Sequence, residues 1–237
     1  MKIVTVQFNF PGRPRYDILL DVFQYSVKKY MPDVEFIEIK EKPPINKTRQ
    51  PINFNYNHFK LGIWKDFICK SKPDEKIILA DCDMMCLRPG YHAFNESFDI
   101  AYTARTWTTR IPNNGGIVFV RPTQKSKEFF KLWYEIDGKM LNDIPFHKKY
   151  RAVYAGQNQS SFGYMQETGN KAIKAHLHKY FTRQWNAVDC DWTKVNGETV
   201  FIHYKSKLRE AVLGGIKKPQ WEKVTELWQG MRKEADV

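Results

Sequence analysis

Two carboxylates one residue apart, Asp81 and Asp83, have the clearest capacity for chemistry in this sequence. They follow the short apolar run of residues 77–80, which predicts a buried strand of an α/β sheet. Ligands of such sheets bind beyond the carboxyl ends of the strands. Side chains two residues apart on an extended chain point the same way, so these carboxylates repel each other unless a cation is near. The pair therefore predicts a divalent cation site, Mn²⁺ or Mg²⁺, with a simple turn cap as the alternative.

A histidine near the end of the chain is the natural third ligand. The segment 198–204 reads as a strand that ends around His203, and Lys205, Lys207 and Arg209 follow it at alternate positions. A strand-end histidine is often structural or merely exposed. One that is followed at once by three cations predicts a corner for a metal and a phosphate.

Two amide-rich segments come next in interest. The run Asn113, Asn114, Gly115 and Gly116 opens an apolar strand, where glycine lets the backbone approach a ligand closely. A hairpin turn is the alternative. Asn158 and Gln159 stand at the start of a predicted helix, where their amides either meet a sugar or cap the helix.

Three further residues belong to elements that end near the same sheet edge. Phe8 and Asn9 close the first strand and are placed to face a nucleobase, with an ordinary turn as the alternative. Lys60 lies between the two apolar stripes of a helix. It either reaches a phosphate or extends along the surface with its charge in water.

The elements that must position these residues alternate along the chain. Residues 3–8 and 34–39 read as strands around a helix that Pro32 ends, which makes a right-handed βαβ unit. Further helices are predicted at 56–70 and 125–136, a strand at 98–103, a loop at 139–154 and an amphipathic helix at the carboxyl end. The order predicts an α/β fold in one domain, with a C-terminal helix at 218–234.

The composition of the chain limits the classes of binding partner that are expected. The 237 residues carry 38 Lys and Arg against 26 Asp and Glu, a net charge of +12, which favours anionic ligands. The cations are scattered and no nucleic-acid motif is present, so nucleic acid is not an expected partner. Four cysteines without CxxC spacing, and an initial Met that leads straight into a strand, predict a cytoplasmic protein with reduced thiols. No apolar run has transmembrane length, while the basic charge is compatible with peripheral membrane contact.

Taken in order, these motifs resemble the GT-A nucleotide-sugar glycosyltransferases, especially the small bacterial galactosyltransferases and glycogenin. The likeness rests on strand-Asp81-x-Asp83, then Asn114-Gly115-Gly116, then Asn158-Gln159, then His203 with lysines nearby, and it covers most of residues 1–210. It implies a single Rossmann-like GT-A domain with a mixed, mostly parallel sheet flanked by helices, in which residues 1–110 are the nucleotide-binding half and 111–210 the sugar and acceptor half. It also implies a nucleotide-diphosphate sugar donor, taken here as a UDP-sugar, and a glycan or glycoconjugate acceptor.

The resemblance also implies roles for residues. Asp81, Asp83 and His203 correspond to the metal ligands, with Asp81 also on the donor, and Lys60 to a lysine that touches the donor. Asn114, Gly115 and Gly116 would line the sugar, and Lys205 or Lys207 would hold the diphosphate. Asn158 and Gln159 would be the catalytic pair, although the family often has Asp-Gln there.

That departure bears on stereochemistry. An inverting transferase needs a base that deprotonates the acceptor, and amides cannot take a proton at neutral pH. A retaining hexosyl transfer is therefore expected, unless Glu167, Asp189 or Asp191 supplies a base. Two other classes of protein compete with a transferase: a haloacid-dehalogenase-type phosphatase, which also uses strand-Asp-x-Asp, and a basic non-catalytic nucleic-acid binder.

Overall fold

The computed structural model describes residues 1–8, 16–42, 48, 50–105, 112–214 and 218–237. The predicted Asn9 lies outside these residues. The strands are β1 (Lys2–Phe8), β2 (Glu35–Glu41), β3 (Ile77–Ala80), β4 (Met84–Cys86), β5 (Ile100–Ala104), β6 (Asn113–Val120), β7 (Leu177–Phe181) and β8 (Phe201–His203). The helices are α1 (Tyr16–Tyr30), α2 (Ile52–Lys70), α3 (Gln124–Asn142), α4 (Ile144–Tyr154), α5 (Asn158–Tyr164), α6 (Asn170–Ile173), α7 (Thr182–Trp185), α8 (Ser206–Val212) and α9 (Glu222–Ala235).

In the described part of the chain, six strands form one sheet in the order β2-β1-β3-β6-β5-β7. The pairs β1–β2, β1–β3 and β5–β7 are parallel, whereas β6 runs antiparallel to both of its neighbours. The β1-α1-β2 unit is the βαβ unit that the sequence predicts. The fold is therefore α/β with a mixed, mostly parallel central sheet flanked by helices, as expected.

Both faces of the sheet are covered, and strand β3 makes the reason visible. Its side chains alternate between two cores, with Ile78 in one and Ile77 and Leu79 in the other. The first core also contains Phe23 of α1, and the second contains Trp64 of α2. A strand that is buried on both faces needs a continuous apolar run, which is the pattern the sequence shows.

A second, two-stranded sheet brings the end of the chain to the carboxylate pair. Strands β4 and β8 pair antiparallel, with Met84 opposite His203. The backbone N–H of Tyr204 donates to the carbonyl of Asp83 at 2.7 Å, which extends the pairing by one residue. Asp83 and His203 are thus held side by side by main-chain hydrogen bonds.

Three elements differ from the sequence-based expectation. Helix α2 begins at Ile52 rather than at residue 56. The predicted loop at 139–154 is wrong, because α3 continues to Asn142 and α4 fills the rest. Asp143 accepts a hydrogen bond from Phe146 N at 2.9 Å and starts α4 as an N-cap. The C-terminal helix is α9, which follows a short 3₁₀ turn over Pro219–Trp221.

Two further observations concern the whole chain. None of the described helices is long and apolar enough to cross a membrane. All four cysteines lie in the described residues and are free thiols.

Candidate active site

The three predicted metal ligands meet where the central sheet adjoins the small sheet. One ligand atom from each of Asp81, Asp83 and His203 lies within 4.8 Å of the others. His203 Nε2 is 3.1 Å from Asp83 Oδ1 and 3.6 Å from Asp81 Oδ2. Two carboxylate oxygens and one imidazole nitrogen form a donor set that suits a borderline divalent cation such as Mn²⁺. The residues present therefore fit a divalent metal.

Each carboxylate also has its own cationic side chain. Lys60 Nζ pairs with Asp81 Oδ1, and Arg209 Nη1 lies 3.0 Å from Asp83 Oδ2. Burial alone raises the pKa of the Asp83 carboxyl, but His203 and Arg209 outweigh burial and hold that pKa below its usual value. Asp83 is therefore a carboxylate at neutral pH, the form in which an aspartate can ligate a metal.

A cavity of about 310 Å³ opens on one side of this cluster. Its walls combine aromatic rings with amides and with the charged residues above, and they include Val6, Phe8, Tyr16, Asn53, Tyr56, Asn57, Lys60, Asp81, Cys82, Asp83 and Arg209. The ring of Phe8 lies 5.8 Å from that of Tyr56, centroid to centroid. Aromatic walls beside charged groups suit a planar base attached to phosphates.

A second cavity of about 260 Å³ opens on the other side, and its walls are mostly polar. It shares Asn57, Lys60, Asp81, Asp83 and Arg209 with the first cavity and adds Asn114, Gly115, Gly116, Gly156, Gln157, Asn158, Gln159, His203, Lys205 and Ser206. Amide and backbone groups around a small cavity are what recognition of sugar hydroxyls requires. The two cavities therefore meet at the carboxylates.

The structure brings together nearly all of the residues that the sequence singles out. Phe8 lines the first cavity, and the Asn114, Gly115 and Gly116 segment, Asn158, Gln159 and Lys205 line the second. Lys207 is exposed on α8 and lines neither cavity. A basic residue two positions further on, Arg209, reaches the carboxylates instead.

Sequence reasoning missed Tyr16 and Asn57 and named Arg209 only as the last of three cations in the predicted corner. Tyr16 lines the first cavity, and its ring lies under the guanidinium of Arg209 at 4.8 Å. Asn57 lines both cavities, and its carbonyl accepts a hydrogen bond from Asn158 Nδ2 at 3.0 Å. Arg209 carried a signal, as the third alternate cation after His203, whereas nothing local marks Tyr16 or Asn57.

In both residues of the predicted catalytic pair, the side-chain NH₂ donates a hydrogen bond to a backbone carbonyl. Asn158 Nδ2 donates to Asn57, and Gln159 Nε2 donates to the carbonyl of Asn113. Asn158 Oδ1 is buried without a partner in the described part of the chain. The amide oxygens are therefore the ends left for a ligand, and they accept hydrogen bonds or face positive charge.

Gly116 packs directly against the histidine of the cluster. A Cβ built at this position would lie 2.5 Å from His203 Cε1, closer than any real contact. The carbonyl of Gly116 also accepts a hydrogen bond from Asp81 N at 2.8 Å. Only glycine lets strand β6 pass this close to His203.

Lys205 sits at the outer side of the second cavity beside two other charged residues. Its Nζ is 3.7 Å from Asp189 Oδ1, which Arg105 contacts at 2.9 Å. Burial lowers the pKa of the Lys205 amine, and Asp189 partly offsets this effect.

Behind the second cavity a buried carboxylate ties three helices together. Asp137 of α3 is fully buried, receives Ser161 Oγ of α5 at 2.5 Å, and pairs with His58 Nδ1 of α2 at 3.0 Å. The Gln157 side chain donates to the carbonyl of Asp137 at 2.7 Å. This network fixes the start of α5, where Asn158 and Gln159 stand.

Comparisons with known proteins agree with this geometry. The family model described as nucleotide-diphospho-sugar transferase matches residues 72–210. No curated protein matches the chain in sequence.

Solved glycosyltransferases share the fold at low sequence identity. One is a glycosyltransferase involved in glycosylation of the major capsid of PBCV-1, with a TM-score of 0.61, 13% identity, and coverage of 89% of this chain and 98% of the other. The galactosyltransferase LgtC, in complex with donor and acceptor sugar analogs, has a TM-score of 0.60, 11% identity, and coverage of 99% and 96%. The glycosyltransferase GlyE of Streptococcus pneumoniae TIGR4 has a TM-score of 0.60, 11% identity, and coverage of 98% and 63%.

The chain has an α/β fold of the GT-A type whose two cavities meet at a carboxylate pair, and the matching family model makes it a glycosyltransferase. The chain belongs to the nucleotide-diphospho-sugar transferase family. This membership does not favour a phosphatase or a nucleic-acid binder.

Proposed function

We propose that this enzyme is a metal-dependent, retaining hexosyltransferase that moves a hexose from a UDP-sugar to a hydroxyl group of a glycan or glycoconjugate. The single observation that carries the proposal is the position of Asp81, Asp83 and His203 between the two cavities. A donor that lies across this cluster would place its nucleoside in the aromatic cavity and its sugar in the amide-lined cavity.

The donor-binding roles follow from this placement. Phe8 and the next residue in the sequence, Asn9, would contact the base. Asp83 and His203 would hold the cation, while Asp81 would support the cation or the donor ribose. When bound, the cation supplies positive charge that stabilises the leaving diphosphate. Lys60, Arg209 and Lys205 would add charge-assisted contacts to the phosphates. Lys207 is exposed and lines neither cavity, so it is a weaker candidate for a phosphate contact than Lys60, Arg209 or Lys205.

The sugar would lie against Asn114, Gly115 and Gly116, with Asn158 and Gln159 beside its reacting carbon. In the transfer, the bond from this carbon to the diphosphate oxygen breaks and a bond to the acceptor oxygen forms. The amide oxygens of Asn158 and Gln159 would stabilise the positive charge that develops on the sugar. The acceptor proton would pass to the departing diphosphate, so no side-chain base is needed.

The surroundings of the three remaining carboxylates support retention. Glu167 accepts a hydrogen bond from Tyr154 Oη at 2.8 Å, Asp189 is paired with Arg105, and Asp191 is fully buried. None of the three lines either of the cavities described above. NMR of the first-formed product tests this proposal: the anomeric configuration should match that of the donor, and the opposite configuration would rule out retention.

Domain organisation and compartment are part of the same proposal. Apart from Arg209, the residues that line the first cavity come from residues 1–110, which supports a nucleotide-binding half there and a sugar and acceptor half in 111–210. Residues 218–234 would then be a C-terminal extension of one domain. Four free thiols support a cytoplasmic location, where thiols stay reduced.

A thermal-shift screen tests the function most directly. UDP-, ADP- and GDP-sugars are added with Mn²⁺, with Mg²⁺ or with a chelator. A ligand at a hundred times its Kd stabilises a protein by about 2.7 kcal/mol, so binding is readily seen. We expect the largest shift with a UDP-sugar and Mn²⁺. The absence of any shift with nucleotide sugars would contradict the proposal.

A further inference from the structure

A buried asparagine outside both cavities holds the sugar-facing segment in place. Asn186 follows α7 and is fully buried. Its Nδ2 lies 2.8 Å from Asn114 Oδ1 and 2.8 Å from Thr103 Oγ1. Asn186 is therefore one hydrogen bond away from a residue that lines the second cavity.

The backbone of Gly116 fixes which end of the Asn114 amide points where. The Gly116 N–H can only donate, and it donates to Asn114 Oδ1 at 2.9 Å. Asn186 supplies a second donor to the same oxygen, so both of its lone pairs are used. Within the described residues the Asn114 NH₂ has no hydrogen-bond partner. The side chain of Asn114 can therefore only donate to a ligand.

The same asparagine also fixes the main chain of Asn114. Thr103 Oγ1 accepts from Asn186 and donates to the carbonyl of Asn114 at 3.0 Å. The register between β5 and β6 shifts between Tyr102 and Thr103, at this same place. Irregularities of this kind redirect side chains next to active sites. Asn186 thus braces both the side chain and the backbone of Asn114 where the register of β5 and β6 shifts.

The buried amide of Asn186 lowers the stability of the fold, and packing alone does not explain why an amide is present here. Asn186 Oδ1 is buried and has no hydrogen-bond partner among the described residues. An unpaired buried carbonyl oxygen lowers stability, and an apolar side chain of similar size would avoid that loss. The amide at position 186 is thus better explained by what its NH₂ does for Asn114.

We propose that Asn186 is a positioning residue that commits Asn114 to donate a hydrogen bond to a hydroxyl oxygen of the donor sugar. This inference rests on the proposed function. It assigns Asn114 to the sugar and not to the nucleoside diphosphate, which lies on the other side of the carboxylates.

The test is Asn186→Asp, which keeps the size of the side chain and removes its NH₂. A carboxylate cannot donate to Asn114 Oδ1 and repels it, so the Asn114 amide keeps only the Gly116 N–H as a donor and is displaced from the orientation in which its NH₂ faces the cavity. We expect the affinity for UDP-glucose and UDP-galactose to fall about tenfold, the scale of one good hydrogen bond. The affinity for UDP with Mn²⁺ should stay at the wild-type value. Isothermal titration measures both.

Two further variants separate positioning from folding. Thr182→Val is the control, because Thr182 begins α7, is fully buried, and has an Oγ1 without a partner in the described residues. It should leave both affinities unchanged. If Asn186→Asp does not fold, Thr103→Val removes the hydroxyl that links Asn186 to Asn114. A smaller loss, about threefold and again confined to the UDP-sugars, is then expected.

The outcomes are distinct. Equal losses for UDP and UDP-sugars, or no loss for either, would overturn the role of Asn186 while the proposed function stands. A wild-type protein that binds UDP-sugars no better than other nucleotides would overturn the proposed donor, and the inference with it.

Discussion

Asp83 is the buried carboxylate of the pair. It lies beside His203 on one oxygen and Arg209 on the other, and its backbone carbonyl closes the small sheet. Asp81, by contrast, is partly exposed and pairs with Lys60. The two carboxylates of the motif are therefore not equivalent, because Asp83 is buried between two cationic partners whereas Asp81 is more accessible.

We expect Asp83→Asn to lose Mn²⁺ binding and to lower kcat on the order of 100-fold, the scale of removing one charge-stabilising group. An amide keeps the shape but carries no charge for the cation. Isothermal titration with Mn²⁺ and a turnover assay measure the two effects. Asp74→Asn, in the exposed turn before β3, is the control. Wild-type Mn²⁺ affinity in Asp83→Asn would remove Asp83 from the metal site.

Gly116→Ala should weaken Mn²⁺ binding without touching any ligand atom. The new methyl group collides with the His203 ring, which must move away from the carboxylates. Gly115→Ala is the matched control for metal binding, because a Cβ there meets only Gln159 Cγ, at an ordinary 3.8 Å. If the two variants bind Mn²⁺ equally well, His203 does not depend on the close approach of β6.

At the scale of elements, the sequence predicts those strands and helices that depend on short-range patterns of residues. The βαβ unit, the strand before Asp81 and the helix at Asn158 follow from apolar periodicity and turn residues. Helix α4 was missed because its three cations and short length read as a surface loop, although Asp143 and Pro145 carried a helix-start signal. The roles of Tyr16, Asn57 and Asn186 depend on contacts with distant segments, which no local pattern records.

Helix α4 carries a buried histidine that makes stability depend on pH. His147 Nε2 lies 3.1 Å from the Gly156 carbonyl, and Nδ1 faces the amide of Gln50 at 3.4 Å. Burial lowers the pKa of His147 below 6.5, with Arg151 acting in the same direction and the Gly156 carbonyl and Asp137 opposing it. The folded state therefore resists protonation more than the unfolded state does.

The sign of the effect follows from proton uptake. Above about pH 6.5 the imidazole is neutral in both states and contributes no difference. As the pH falls below that value, the unfolded chain binds the proton first, so the free energy of unfolding falls. Urea unfolding at pH 7 and pH 5 should show this loss, and His147→Gln should reduce it. His176→Gln, at an exposed position, should not change it.

At the scale of the whole molecule, the C-terminal helix α9 packs against α1, the first helix described. Trp228 of α9 is fully buried in a cluster with Leu19 and Val22 of α1 and with Tyr204, the residue after His203. Tyr204 Oη donates to the carbonyl of Val224 at 2.9 Å. Helix α9 thus supports the strand that carries His203.

Trp228→Ala should lower the free energy of unfolding by about 3–5 kcal/mol, because a large cavity is left in a closed core. Trp221→Ala is the comparison: Trp221 is half-buried and contacts Trp192 edge to face, so its loss should cost less. Urea denaturation measures both. Equal costs would mean that α9 is not anchored through Trp228.

The residues of the carboxylate cluster are far apart in the sequence, and this separation determines when the cluster forms during synthesis. Asp83 and Arg209 are 126 positions apart, and the first cavity needs Phe8 as well. A ribosome that has made the first half of the chain has already supplied the β1-α1-β2 unit, whose strands are close in sequence and pair early, and the strand β3 that precedes the two aspartates. That nascent half carries its two aspartates without their histidine or their arginine. The carboxylate cluster is therefore assembled only after His203 and Arg209 have emerged and docked, and a chain that stops short of them lacks it.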